Sequence, residues 1–214
     1  MRNSPSDSRE TDRGANQSSE SRAPITLDLL LKVSAQHFRA KGFAGTSTRD
    51  LAHSLGVQRA SLYYHVKSKE EILWQICIRS LNRVIDAAES ALVNAPVGER
   101  IRTLIVAHLE ATLSDLNMHV VMLIELRALS IHHAAELLSR RKAYLHLIQE
   151  QIASEQDAGH IRADMDSKVL ALALLNLANW TVFWFDSEGA WSAEELSENL
   201  AEIFLNGCRQ VGTV

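Results

Sequence analysis

An all-α fold of about nine helices is what this 214-residue sequence predicts, and three observations predict it. Apolar residues recur at three- and four-residue spacing through most of the chain, and no run alternates polar and apolar as a half-buried strand does. Only three prolines interrupt it, and the internal Pro96-Val97-Gly98 falls between two helical patterns. Ser47 to Asp50, Ser68 to Glu71 and Ser192 to Glu195 each have capping-box spacing, in which a hydroxyl and a carboxylate satisfy the free amides of a helix start.

Taken in order, residues 1–24 are rich in Ser, Arg and Asp/Glu and nearly devoid of apolar side chains. They cannot bury enough surface to fold and are expected to form a disordered polar tail, with Arg9, Arg13 and Arg22 balanced by acids. From Ile25 a stripe of Leu27, Leu30, Leu31, Val33, Ala35 and Phe38 predicts a helix that stops at Lys41-Gly42. Ser47 opens a second helix, which turns Leu51, Ala52 and Leu55 inward and ends at Gly56. A third follows within three residues, over about 58–64, so residues 25–70 read as a three-helix domain with a helix-turn-helix.

Ser68 opens a long helix toward Asn94. A helix over about 99–114 carries Ile101, Leu104, Ile105, His108 and Leu109 on one side. The 118–129 stretch is strongly apolar, 134–157 is a long amphipathic helix, and 167–185 is apolar nearly all round. The last helix, 193–207, begins at Ser192 and carries Leu196, Leu200, Ile203 and Phe204. A helix apolar on every face needs a partner beyond its own domain, and two-fold pairing is the commonest solution. Leu174 and Leu200 are expected on the outward, paired faces.

The net charge of −4 conceals a division. Residues 25–69 carry seven Lys/Arg against Asp28 and Asp50, net +5, whereas residues 70–214 carry net −9. A basic segment on an acidic body is the distribution of a protein whose one end meets a polyanion. Cys77 and Cys208 lie in apolar helical stretches and read as buried thiols of a reducing compartment. The longest apolar run, 169–185, is broken by Asn176, Asn179 and Thr181, and the N-terminus has no apolar signal region. A soluble, cytoplasmic protein without a membrane partner is expected. No Gly-x-Ser-x-Gly elbow or phosphate-cradling glycine loop is present, so no catalytic residues, no cofactor and no enzyme are predicted.

A helix-turn-helix reads DNA by laying its second helix in the major groove, with phosphate ligands at both flanks. Thr46, Ser47 and Thr48 place hydroxyls and free amides at a helix start, where phosphate binds readily. Gln58, Arg59 and Ser61 project from the third helix, Tyr63, Tyr64 and His65 follow, and Lys67 and Lys69 add charge at the flank. Phe38-x-x-Lys41-Gly42-Phe43, Thr46 through Ala52, Leu55 through His65 and Lys67-Ser68-Lys69 together resemble the N-terminal domain of TetR-family transcriptional regulators. Val66 stands where Phe is usual and Ala60 where Gly is common. The resemblance covers about residues 27–73. It implies Ser47 as the phosphate-binding cap, Gln58, Arg59 and Ser61 as groove-facing residues, and Tyr63, His65 and Lys69 as contacts to the DNA backbone. It also implies a repressor bound to double-stranded DNA at a palindromic operator, with an effector-binding and dimerisation domain over 71–214 that forms a homodimer through its last two helices.

Asn176-x-x-Asn179-Trp180-x-x-x-Trp184 followed by Gly189 is similar to regulators of steroid and acyl-thioester breakdown in that family. Met122, Arg127, Tyr144, Asn176 and Trp180 are the candidate ligand-binding residues, since apolar walls with few polar groups suit an apolar organic effector such as an acyl-CoA. Asn176 and Trp180, four apart, share one helix face. The alternative is a TetR-fold regulator that senses a metal or a protein partner. Six histidines beyond residue 70 invite the metal reading. His132 and His133 are adjacent, so they point about 100° apart on a helix, and no metal ligands are assigned.

Overall fold

The structure, a computed structural model, describes residues 25–209. The tail expected over residues 1–24 lies outside the described residues. Nine α-helices and two 3-10 turns make up the described fold. α1 (Leu27–Gly45) begins at Thr26, whose hydroxyl accepts from the Leu29 amide at 3.2 Å. It runs one turn past the expected stop, because Gly42 takes φ +75° and kinks the helix rather than ending it. α2 (Thr48–Leu55) carries both bonds of its capping box and closes on Gly56 at φ +65°, the left-handed conformation that only a residue without Cβ adopts freely. α3 (Arg59–Leu62) is shorter than the sequence predicts. Tyr63, Tyr64 and His65 are poor helix formers and leave it as turns, with Val66 buried beside Leu62.

α4 (Lys69–Leu92) starts at Ser68, which accepts from the Glu71 amide at 3.0 Å. The Glu71 carboxylate accepts from Gln75 rather than completing the box. α5 (Arg100–Leu113) and α6 (Leu116–Ile124) follow, and the 118–129 stretch ends in a 3-10 turn, Leu126–Ala128. α7 (Ile131–Asp157) begins three residues earlier than expected, because Ser130 caps the His133 amide. α8 (Ser167–Trp180) tightens into a second 3-10 turn at Thr181–Phe183, where the Thr181 hydroxyl donates back to the Leu177 carbonyl. α9 (Ala193–Cys208) carries a complete Ser192–Glu195 capping box.

α1 to α3 form a head, and α4 leads from it into the body. α1 packs on α4 and α6, α5 lies between α4 and α9, and α7 packs on α8. The head's buried cluster of Leu30, Leu31, Phe38, Leu51 and Leu62 continues through Ile72, Leu73 and Ile76 into Met118, Val121, Met122 and Leu137. The boundary drawn at residue 70 therefore falls inside one apolar cluster. A second cluster, around Leu104, Leu109, Ile148, Leu174 and Ala201, fills the far body.

Candidate nucleic-acid interface and effector cavity

The capping box at α2 fixes the entrance to the reading head. The Ser47 amide and hydroxyl both donate to the Asp50 carboxylate at 2.8 Å, and the Asp50 amide donates to the Ser47 hydroxyl at 3.2 Å. Those bonds, the backbone one first, hold the Asp50 carboxyl below its usual range. Thr46 departs from expectation: it is buried, and its hydroxyl donates to the Gly42 and His37 carbonyls, so it braces α1 instead of facing DNA. Thr48 is half-buried at the start of α2.

Gln58, Arg59, Ser61, Tyr63, Tyr64 and Lys67 are exposed together, with His65 half-buried behind them. From the start of α3, Arg59 donates to the hydroxyl of Tyr63, just past the helix end, at 3.1 Å, which lowers the phenol's pKa, with a smaller contribution from the Thr48 hydroxyl. The guanidinium also lies 5.7 Å from the Tyr63 ring centre. Tyr64 is 87% exposed and holds its ring edge-to-face against His65. An aromatic ring that open contributes little to folding.

Lys69 also departs from expectation. Its ammonium donates to the Phe43 and Thr46 carbonyls, both at 2.8 Å, and lies 4.1 Å from the Phe43 ring centre. It caps the end of α1 rather than standing free at the flank. The Phe43 amide in turn donates to Glu125 at 2.9 Å, so the residue just past the kink is held by α4 and by the C-terminus of α6 at once. Glu70 adds a second tie, accepting from the Ser130 amide and facing His133 Nδ1 at 2.8 Å, while the His133 ring stacks on Trp74.

Between α4, α5, α6, α7 and α8 lies a narrow cavity of about 40 Å³. Leu81, Val84, Met122, Leu123 and Leu175 give it apolar walls; His108, His119, Arg141, Tyr144 and Asn179 give it polar ones. His108 Nδ1 lies 3.0 Å from the Tyr144 hydroxyl. His119 bridges the Ser80 hydroxyl at Nδ1 and Asn179 Oδ1 at Nε2. Burial pushes His108 down to about 3, aided by the neighbouring His119, and pushes His119 down to about 4 against the Asn179 hydrogen bond. Both rings are neutral at pH 7. Burial also raises the Tyr144 phenol. His108 Nε2 is buried and makes no well-formed hydrogen bond, and the Asn179 side chain interacts with the ring and opposes its lowered pKa.

Of the candidate residues, Met122 and Tyr144 line this cavity, and the three others do not. Arg127 is exposed on the 3-10 turn after α6. Asn176 and Trp180 do share a face of α8, but the outer one, where Trp180 is 66% exposed. Leu175 and Asn179 occupy the inner face. Leu174 and Leu200, expected to point outward, are buried in the far core; Val169, Leu172 and Trp180 on α8 and Ile203 on α9 are the large apolar side chains those helices expose. Sequence reading missed His108, His119, Arg141 and Asn179. The available signal was His108 itself, a titratable side chain within the apolar stripe of α5.

A wider cavity of about 280 Å³ opens at the far end of the body, around Gly98, Glu155, His160 and Arg209. There the buried Glu155 carboxylate accepts from the Gly98 amide and faces His160, clasping the loops on either side. Among the described residues no group of three or more His, Cys, Asp and Glu is placed to hold a metal. Cys77 and Cys208 are free and buried, and burial pushes the Cys77 thiol up to about 12. No helix among the described residues is long and apolar enough to cross a membrane.

Residues 30–76 match the family model of bacterial regulatory proteins of the tetR family, and residues 94–208 match the tetracyclin repressor-like C-terminal domain. The HTH-type transcriptional repressor KstR2 of Mycolicibacterium smegmatis is 27% identical over 195 residues, which span 86% of this chain and 90% of that protein. The crystal structure of the TetR-family regulator PfmR from Thermus thermophilus superposes with a TM-score of 0.77 at 30% identity, covering 83% of this chain and 97% of that one. AibR, solved with isovaleryl coenzyme A and operator DNA, shares the fold with a TM-score of 0.74 at 22% identity, over 83% of this chain and 96% of its own. The chain belongs to the TetR family, whose members are DNA-binding transcriptional regulators and not enzymes.

Proposed function

We propose that this regulator is a cytoplasmic homodimeric repressor that leaves a palindromic operator when an apolar effector with a thioester end, an acyl-CoA, enters the cavity between α4 and α8. The observation that carries this reading is the position of the cavity. Its walls are α4, which leads into the head, and α6, whose terminal Glu125 holds Phe43 beside the helix-turn-helix. An effector that separates those walls shifts both supports of the reading head. The acyl-CoA in the AibR complex favours a thioester as the signal.

In this reading Gln58, Arg59 and Ser61 enter the major groove. Ser47, Thr48, Tyr63, Tyr64, His65 and Lys67 meet its rim and the phosphates, with Thr46 and Lys69 bracing them. Two copies pair through the exposed stripe of Val169, Leu172 and Trp180 on α8 with Ile203 on α9. Their reading heads then meet successive grooves about 34–36 Å apart. Release is a population shift, and a tenfold loss of DNA affinity requires about 1.4 kcal/mol of preference for the other conformer.

The test is a mobility shift of the full chain on the DNA upstream of its own gene at fixed salt, with and without acyl-CoAs of increasing length. A retarded band that an acyl-CoA dissolves, and an Arg59→Ala variant with relaxed sequence preference, are expected. Operator binding unaffected by both Gln58→Ala and Arg59→Ala would remove α3 from the interface. A thermal shift with divalent metal but with no thioester would replace the signal.

A further inference from the structure

We infer that Tyr63 is a positioning residue as well as a rim contact: its hydroxyl sets the Arg59 guanidinium to read a guanine in the major groove. The inference rests on the placement of α3 in the groove, and adds which base α3 reads and what aims the reader. Arg59 is the first residue of α3, and residues at the start of a recognition helix are those that reach base edges. Its side chain is long and exposed, and unrestrained it would sample many directions. Tyr63 removes that freedom. Arg59 Nη2 donates to the Tyr63 hydroxyl at 3.1 Å, and the guanidinium lies 5.7 Å from the ring centre. The Thr48 hydroxyl meets the same phenol. Thr48 is the first residue of α2, beside the Ser47–Asp50 capping box, so the phenol is anchored to α2 as well as to α3. Among the described residues Arg59 makes no ion pair. A neutral phenol holds the guanidinium and leaves its charge for the DNA, which a carboxylate would not.

The base follows from the donors that remain. A guanidinium carries its N–H groups in a planar fork and has no acceptor. Nη2 gives one N–H to Tyr63 and keeps another, which leaves one edge of the fork with two parallel donors. Parallel donors need neighbouring acceptors. In the major groove guanine offers them on one base, at O6 and N7. Adenine sets its N6 amine beside N7, thymine has one acceptor, and cytosine presents a donor. The restraint sharpens the choice. The guanidinium cannot swing to a phosphate or to the next base pair without breaking its bond to Tyr63, so a wrong base leaves a donor unmet.

The test is selection of binding sites from a random duplex library by the full-length protein, followed by anisotropy titrations at fixed salt. Selection is expected to return a G·C pair in each half-site whose enrichment Arg59→Ala abolishes. Replacing that pair by A·T in both half-sites should weaken wild-type binding about tenfold or more. Tyr63→Phe, a change at an exposed position that keeps the ring and removes the hydroxyl, should cut that preference to about threefold or less. In an Arg59→Ala background the same change should leave the ratio of the two affinities where it was. An equal loss on both duplexes, with the wild-type preference intact, marks Tyr63 as a rim contact alone and overturns the positioning role. Enrichment of a base other than guanine that Arg59→Ala abolishes overturns the guanine assignment and leaves α3 in the groove. Arg59→Ala selecting the same sites as wild type takes Arg59 out of the groove and overturns both.

Discussion

Lys69→Met separates a DNA ligand from an internal brace. Methionine keeps the apolar stem against Phe43 and removes the ammonium. The structure gives that ammonium two carbonyl partners at 2.8 Å, Phe43 and Thr46, which flank the last turn of α1 just before Ser47. Hydrogen bonds to a charged group contribute roughly 1.5–3 kcal/mol each when enclosed. Lys69 is only half-buried and water recovers part of the loss, so about 2 kcal/mol in total is a fair expectation. For a chain of this length that lowers the melting temperature by about 4–8 °C, compared at equal protein concentration because dimerisation feeds into stability. A lysine on phosphate behaves otherwise: its removal leaves melting unchanged and lowers the slope of log affinity against log salt by about 0.9. Calorimetric melting and operator titrations at several salt concentrations report the two effects separately. The expected result is a lower melting temperature with an unchanged salt slope. Unchanged melting with a slope reduced by about one would refute the brace and return Lys69 to the DNA surface.

Two further outcomes follow from geometry. Leu172→Glu or Ile203→Glu, on the exposed faces of α8 and α9, should give monomers at micromolar concentration in sedimentation, and a stable dimer of both variants would refute the pairing surface. Acid should destabilise the fold through His108 and His119, whose folded pKa values are depressed to about 3 and 4. Below the unfolded value near 6.5 the unfolded chain takes up protons that the folded rings refuse, so this stability is present above pH 6.5 and is lost as pH falls towards the folded values. By pH 5 the loss is about 2 kcal/mol per ring, and His108→Leu should melt with a shallower decline between pH 7 and 5 than wild type. Parallel declines would show that His108 is not a buried neutral ring.

The reading head was legible in the sequence because its signals are local. A capping box depends on two residues three apart, and Gly56 marks a backbone conformation that side chains resist. Direction was harder to read than position. Thr46 and Lys69 have the chemistry of DNA ligands and the right register, yet both turn to the carbonyls at the end of α1. The kink at Gly42 brings those carbonyls within reach, and the sequence presents that glycine as a stop.

The cavity was less legible because it is assembled from five helices, and none of their sequences states which face meets which neighbour. α8 shows the difficulty plainly. Its apolar residues surround the axis, so composition cannot choose between the face of Asn176 and Trp180 and the face of Leu175 and Asn179. What decides is what else the helix must bury. Leu170, Ala171, Leu174 and Ala178 fill the body core and set the rotation of the helix. Asn179, one position beyond Ala178, then lands beside His119, and Trp180, another 100° round, is carried outside. A polar side chain next to a core position on a buried helix needs a buried partner, and the polar residue on an apolar stripe elsewhere in the chain, His108 or His119, is where to seek it. The same rotation leaves Val169, Leu172 and Trp180 in one exposed row, so the placement of Asn179 in the cavity and the availability of α8 to a second copy come from one packing decision.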